Sequence, residues 1–349
     1  MPTVQAARLN HISRTLLEAT GTPVDEAEIV SRHCIEANLA GHDSHGIIQI
    51  PTYIDRVKVG HIVPGAPWVI TQESPTTTVV DGHWGYGYVA TERAMKLTIE
   101  KAKKQNVAAC TVFRQGHIGR LASYPLMAQK EGLFAMITAD SGRSPKHVAP
   151  YGGAKARLGT NPISFAVPSN LEGPLFLDMA TSAVAAGKIS LAIARGQSIP
   201  EGWIVDGQGK ATTDPKKFKP DGALLPLGGS EGYKGYGLAS MVEIFAGLLT
   251  GLGYGIEPTG RHNDGCFMAV FNVAAFRDLG VFKQEVTEFA HYLKSTPPAE
   301  GFSEVYYPGE IEHRKEVERK RDGIPVEDST WAALKKLADE TGTTSKLEM

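Results

Sequence analysis

Cysteine is scarce in this chain: Cys34, Cys110 and Cys266 are the only three in 349 residues, and no two form a CxxC pair. So odd and dispersed a set argues against a disulfide framework or a structural zinc site. It suits a reducing compartment, so a cytoplasmic location is expected. Long apolar runs are missing too. The most apolar stretch, Gly235 to Ile256, is broken by Glu243 and several glycines, and it reads as a buried helix rather than a membrane span. The first twenty residues space Leu9, Ile12, Leu16 and Leu17 amphipathically and lack the continuous apolar core of a signal peptide. Nor does one sign of charge prevail. The net charge is -2, with 36 basic and 38 acidic side chains interspersed, which argues against nucleic acid or an anionic membrane as the main partner. No internal repeat is visible.

Glycine is in excess, with 38 residues against a usual share of about 7%. Its clusters at Gly82 to Gly87, Gly152 to Gly153 and Gly228 to Gly237 point to tight turns and close backbone approaches. A chain this long exceeds one simple core, so two or three domains are expected. The first sixty residues read as helical. Thr22-Pro23 before Asp25 and Glu26 starts a helix that Gly41 stops, and a second helix carries Ile47, Ile50, Tyr53, Ile54 and Val57 inward. From Thr76 the period changes. Strands are predicted at 77–80, 107–113, 133–138, 162–167, 174–177 and 265–272, alternating with helices at 89–104, 119–131, 181–194 and 234–249. The tail is helical again at 283–294, 311–320 and 328–342. Helical ends around a mixed sheet predict an outer domain of residues 1–75 plus 300–349, enclosing a central mixed α/β region over 76–299.

Two motifs invite a reading that their context refuses. Gly85-Tyr86-Gly87-Tyr88-Val89-Ala90 matches G-x-G-x-x-A between a strand and a helix. A dinucleotide fingerprint needs an acidic residue about 20 positions on, at the end of a second strand. Glu100 comes only thirteen residues after Gly87, inside the predicted helix, so a tight turn feeding a packed helix is the better reading. Gly228-Gly229-Ser230-Glu231-Gly232 matches the nucleophile elbow of serine hydrolases, with Asp264 and His291 or His313 in triad order. Pro226 spoils the strand that should precede the elbow. A serine hydrolase built on Ser230 is the remote alternative. His42 and His45 share a metal-like spacing, but no third ligand follows, and no metal is expected.

The most informative segment is Gly41-His42-Asp43-Ser44-His45-Gly46, at a helix boundary. An imidazole there titrates near neutrality and is suited to exchanging a proton with a substrate oxygen. Further along come Val80-Asp81-Gly82, His117-Ile118-Gly119-Arg120, Ala149-Pro150-Tyr151-Gly152-Gly153 and Gly159-Thr160-Asn161-Pro162. They are followed by Asp178-Met179-Ala180-Thr181-Ser182, Gly187-Lys188, Lys234-Gly235-Tyr236-Gly237 and Pro308-Gly309-Glu310. In this order, over almost the whole chain, the set resembles the type 2 malate/L-lactate dehydrogenase family, most nearly its hydroxycarboxylate dehydrogenase B branch. The resemblance implies a non-Rossmann nicotinamide fold, a helical outer domain with an inserted mixed-sheet cofactor domain, and homodimers whose partner completes the cleft. It implies NAD or NADP as cofactor, a small 2-oxo or 2-hydroxy acid as substrate, and a 2-oxo acid reductase activity. Reduction of a cyclic imine carboxylate is the alternative within the family.

By the same resemblance His45 is the catalytic proton donor and acceptor, and His117 is a second site histidine for proton transfer or positioning. Ser44 either orients His45 or caps the next helix, and Tyr53 either reaches the substrate or packs. Cofactor contacts are implied for Asp178, Met179, Ala180, Thr181, Ser182, Lys188, Lys234, Gly235, Gly309 and Glu310, with Thr160 and Asn161 lining the nicotinamide pocket. One position departs. The family arginine that forks onto the substrate carboxylate falls four residues after His45, where this chain has neutral Gln49. A substitute cation is expected among Arg120, Arg143, Lys146 and His147, with Arg143 or Lys146 placed at the substrate.

Overall fold

The computed structural model describes every residue except 141–145, 256–260, 262, 348 and 349. A two-residue strand, β1 (Thr3–Val4), leads into α1 (Ala6–Ala19), α2 (Val24–Leu39) and α3 (Gln49–Lys58). α1 buries Leu9, Ile12, Leu16 and Leu17, one stripe at helical spacing. α2 carries Asp25 and Glu26 in its first turn, where the helix dipole favours negative charge. It ends at Gly41, whose φ of +84° suits a left-handed helix stop.

The mixed region follows as β2 (Val69–Glu73), β3 (Thr77–Gly85), α4 (Gly87–Gln105), β4 (Val107–Gln115), α5 (Pro125–Lys130), β5 (Leu133–Asp140), β6 (Ile163–Val167), β7 (Leu175–Met179) and α6 (Ala186–Arg195). Then come β8 (Ile204–Val205), β9 (Ala211–Thr212), β10 (Ala223–Leu224), α7 (Tyr233–Val242), a π-helical turn at Glu243–Leu248, and β11 (Gly265–Asn272). The chain closes with α8 (Leu279–Lys294), α9 (Glu310–Asp322), β12 (Ile324–Pro325), α10 (Asp328–Glu340) and α11 (Thr344–Leu347).

Seven strands form one mixed sheet in the order β2-β3-β4-β11-β5-β6-β7. Only β3 and β4 run parallel, joined through α4; every other neighbouring pair is antiparallel. Alternation along β11 divides the two faces. Cys266, Met268 and Val270 join Met95, Ile99 and Tyr124 in one core beneath α4 and α5, while Phe267 stacks on Phe245 of the π turn. A separate core joins both ends of the chain: Leu9, Leu16, Val30, Ile50 and Tyr53 pack with Ile324, Val326, Leu334 and Leu337. β1 pairs with β12 at its edge.

Two expectations change, and one strand, β2, was not foreseen. The helix foreseen over 119–131 is a short 3-10 turn, Leu121–Ser123, followed by α5, because Gly119 turns left-handed at φ +71° and Pro125 has no N–H to continue a ladder. The helix foreseen from 181 starts only at Ala186. Thr181 and Ser182 do not cap it: the Thr181 hydroxyl donates to the carbonyls of Thr160 and Asn161, and that of Ser182 donates to Val184 O. β2 has no clear apolar alternation because it is a mostly exposed edge strand.

Candidate active site

The turn that carries His45 is held from three sides. Asn38, near the end of α2, accepts the Ile47 N–H at 2.7 Å and donates to Asp43 Oδ1 at 2.7 Å. Arg319 of α9 forks onto both oxygens of Asp43. Gly46 leaves room for this clamp, since a Cβ there would lie 2.2 Å from Asn38 Oδ1. The result presents His45 on a short 3-10 turn, with Nδ1 2.9 Å from Ser44 Oγ. Gln49 is turned back onto this segment and donates to Ser44 O at 2.8 Å.

His117 arrives from the loop after β4. Its ring stacks on that of His45, with centroids 5.6 Å apart and planes 25° from parallel. Tyr53 is 1% exposed and reaches the site through His117, its hydroxyl 2.7 Å from Nδ1 and 3.1 Å from the Tyr88 hydroxyl. α4 begins directly beneath. A Cβ on Gly87 would sit 2.1 Å from Gly116 O, so this glycine serves the packing of α4 against the His117 loop and explains the misleading G-x-G-x-x-A pattern. Desolvation pushes the His45 imidazole down to about 4, helped by His42 and Arg120 and opposed by Asp264. Asp264 also accepts the Ile118 N–H at 3.1 Å, tying β11 to the same loop.

A buried ionic cluster lies at the end of β5. Lys146, 3% exposed, sits 3.5 Å from Asp140 Oδ1 and 3.2 Å from Glu243 Oε1. Asn161 donates to Glu243 Oε2 and to Ala239 O, both at 2.9 Å, with a strained φ of +41°. Burial raises the Asp140 carboxyl well above its usual range, Lys146 opposing. Lys146 thus spends its charge on two carboxylates, and it also lines a cavity of about 630 Å³ under Tyr236, Ile244 and Leu248. Arg143 lies outside the described residues.

The other expected contacts fall in three places. Asp178, next to last in β7, accepts the Ala122 N–H at 2.7 Å, Met179 pairs with Ile163 in the sheet, and half-buried Ala180 leads to Thr181, which is tied to Thr160 and Asn161. Lys188 is exposed and shares a cavity of about 620 Å³ with Ser44. Lys234 is two-thirds exposed beside Glu231, and Gly235 makes way for the Leu227 backbone, since its Cβ would meet Leu227 O at 2.2 Å. Gly309 turns left-handed against Pro174 and Phe176, while the Glu310 carboxylate is taken up by Lys294, Arg314 and the Tyr307 N–H. Ser230 is exposed on a 3-10 turn, and among the described residues its hydroxyl bonds to no histidine, which removes the hydrolase reading.

Sequence reasoning missed Tyr88, Asp140, Glu243 and the placing of Asp264 beside the histidines. Only the glutamate inside an apolar helical run offered a signal. Arg120 and Ser123 were also overlooked as a pair. Both are nearly buried on one cavity wall, and among the described residues Arg120 Nε and Ser123 Oγ have no hydrogen-bond partner.

A malate/L-lactate dehydrogenase family model matches residues 4–335. The L-sulfolactate dehydrogenase of Methanocaldococcus jannaschii is 36% identical over 94% of this chain and 94% of that protein. Among solved structures, malate dehydrogenase from Entamoeba histolytica superposes with a TM-score of 0.93 at 32% identity, covering 98% of each chain. The delta1-piperideine-2-carboxylate reductase of Pseudomonas syringae gives 0.85 at 28% identity, over 97% of this chain and all of that one.

Proposed function

This chain belongs to the malate/L-lactate dehydrogenase family, and we propose that it interconverts a 2-hydroxycarboxylate and its 2-oxo acid with NAD or NADP. The observation that carries this reading is the stacked His45–His117 pair, each ring tied at Nδ1 by a hydroxyl. The dinucleotide supplies the hydride chemistry when bound. The protein's part is to orient the acid and move one proton. With Nδ1–H donating to Ser44, His45 offers an Nε2 lone pair, and desolvation keeps the ring neutral at pH 7. It therefore takes the C2 hydroxyl proton in oxidation and returns it in reduction. A bound carboxylate beside the imidazole raises its basicity and makes that return easier. Tyr53, donating to His117 Nδ1, leaves the His117 proton on Nε2, where it serves as a donor to the substrate oxygen.

The dinucleotide is assigned to Thr160, Asn161, the segment 178–182, Lys188, Lys234, Gly235, Gly309 and Glu310. Gly235, Gly309 and Glu310 act through the backbone shape they enforce, because their space or charge is already used by the protein. Gln49 is neutral and Lys146 is paired, so Arg143 is the cation proposed for the substrate carboxylate. The apolar surface of Tyr236, Ile244, Leu248 and Leu249 is assigned to a second copy of the chain.

Loss of NADH and of NADPH absorbance against pyruvate, oxaloacetate, 2-oxoglutarate, phenylpyruvate, sulfopyruvate and one cyclic imine tests the reading. Turnover with one of the oxo acids, abolished by His45→Ala, is the expected result. Turnover with the imine alone selects the reductase alternative, which the likeness to the piperideine-2-carboxylate reductase supports.

A further inference from the structure

We propose that Arg319, near the end of α9, is a positioning residue for His45: through Asp43 it fixes the turn that seats the imidazole against His117. This rests on the dehydrogenase reading for what the imidazole does, and goes beyond it in naming what holds the ring. A surface helix ordinarily turns its apolar residues inward, and α9 does the reverse. Its aliphatic residues Ile311 and Val317 are exposed, whereas Glu312, Lys315 and Arg319, spaced i, i+3, i+7 on one side, are half-buried. This charged side meets three successive residues just before Ser44 and His45. A Cβ on Gly41 would lie 3.1 Å from Lys315 Cγ, and Glu312 Oε1 is 3.6 Å from His42 Nε2. Arg319 forks onto Asp43 at 2.6 and 3.0 Å and donates as well to Asn38 O at the end of α2.

The fork is better placed to set geometry than to add stability. The Asp43 side chain is 49% exposed, and an ion pair so open to solvent contributes little to folding. A guanidinium fork on a carboxylate, however, fixes direction as well as distance. Asp43 is the first residue of the 3-10 turn whose last residue is His45, so a shift of Asp43 carries the ring with it. What the turn decides is how dry the ring is. Desolvation is the main cause of its low basicity, and the charged groups facing it are His42 and Arg120 on one side of the balance and Asp264 on the other. A turn released from α9 admits water to the imidazole and makes it more basic.

NMR titration of the free protein tests this without turnover, the His45 signal being identified by its loss in His45→Ala. The parent midpoint is expected at about 4. Arg319→Gln is expected to raise it by about one unit toward the ordinary 6.5, with the melting temperature little changed. The kcat/KM for oxidation at pH 7 is expected to fall several-fold, and Arg319→Lys, which keeps the charge but loses the fork, to lie between. Arg319→Gln combined with Asp43→Asn removes both charges, and the same rise is expected there. A midpoint and kcat/KM equal to the parent's overturn the proposal. A rise in the single variant that vanishes in the double also overturns it, because the bare charge of Asp43 then explains the shift. Should Arg319→Gln not fold, Arg319→Lys gives the same test with a smaller rise expected and parental values overturning it. A parent protein that turns over neither oxo acid nor imine defeats the dehydrogenase reading itself, while the titration still decides whether Arg319 holds His45.

Discussion

The rings of His45 and His117 stack 5.6 Å apart although the two residues come from separate parts of the chain, one from a turn after α2 and one from a loop after β4. Each ring is held at Nδ1, and at His45 desolvation opposes a charge. Their chemistry is therefore set by surroundings rather than by the free imidazole.

The pH dependence follows from that burial. His45 is held down at about 4, and oxidation of the hydroxy acid needs its neutral form. The kcat/KM for oxidation should be flat from about pH 5 to 8 and fall as pH drops through about 4, since this ratio reports the free enzyme. Reduction needs the protonated ring, so its kcat/KM should fall about tenfold per unit above pH 5. Folding stability moves the same way as oxidation. The unfolded imidazole takes a proton near pH 6.5 while the folded one does not, so stability is lost as pH falls from about 6.5 to about 4. An oxidative limb centred near 6.5 would show that burial does not control His45.

Tyr53→Phe keeps the ring and removes one hydroxyl, leaving His117 Nδ1 and the Tyr88 hydroxyl short of a partner. The expected cost is about 1–3 kcal/mol of stability. The kcat should drop with little change in KM, because His117 loses its fixed proton. A lower melting temperature with unaltered kcat would reduce Tyr53 to packing.

Lys146→Met should be among the most damaging single changes, at about 3–5 kcal/mol, because Asp140 and Glu243 would stay buried without their cation. Adding Asp140→Asn should recover part of that loss. Chemical denaturation of the single and double variants decides it: equal losses in both would show that Asp140 is not what Lys146 compensates, and a small loss in Lys146→Met that the ionic cluster is unimportant.

Gly87→Ala places a methyl group 2.1 Å from Gly116 O, against backbone that cannot swing aside. A loss of about 1–3 kcal/mol is expected, together with lower kcat, since the displaced loop carries His117. A variant with parental stability and turnover would mean that α4 and this loop do not brace one another.

Most regular elements were legible in local pattern. The α1 stripe, the start of α2 at Thr22-Pro23 and the apolar runs of β4, β5 and β11 all lie within a residue or two of their expected places. The failures were of a different kind. Thr181 and Ser182 look like helix caps, but their hydroxyls answer carbonyls outside the helix. The 3-10 turn at Leu121–Ser123 interrupts a segment whose composition is helical. For Thr181 partners distant in sequence overrode the local preference, while Ser182 turns to the nearby Val184 O and the 3-10 turn follows from Gly119 and Pro125.

By itself the sequence determined the order of helices and strands, the motif set that identifies the family and the neutral residue at Gln49, because periodicity and residue chemistry are local properties. Only tertiary structure decided that Tyr53 holds His117, that Lys146 answers Asp140 and Glu243, and that Arg120 Nε and Ser123 Oγ have no hydrogen-bond partner among the described residues. Burial and pairing depend on which distant segments pack together, and a side chain's charge and availability follow from them.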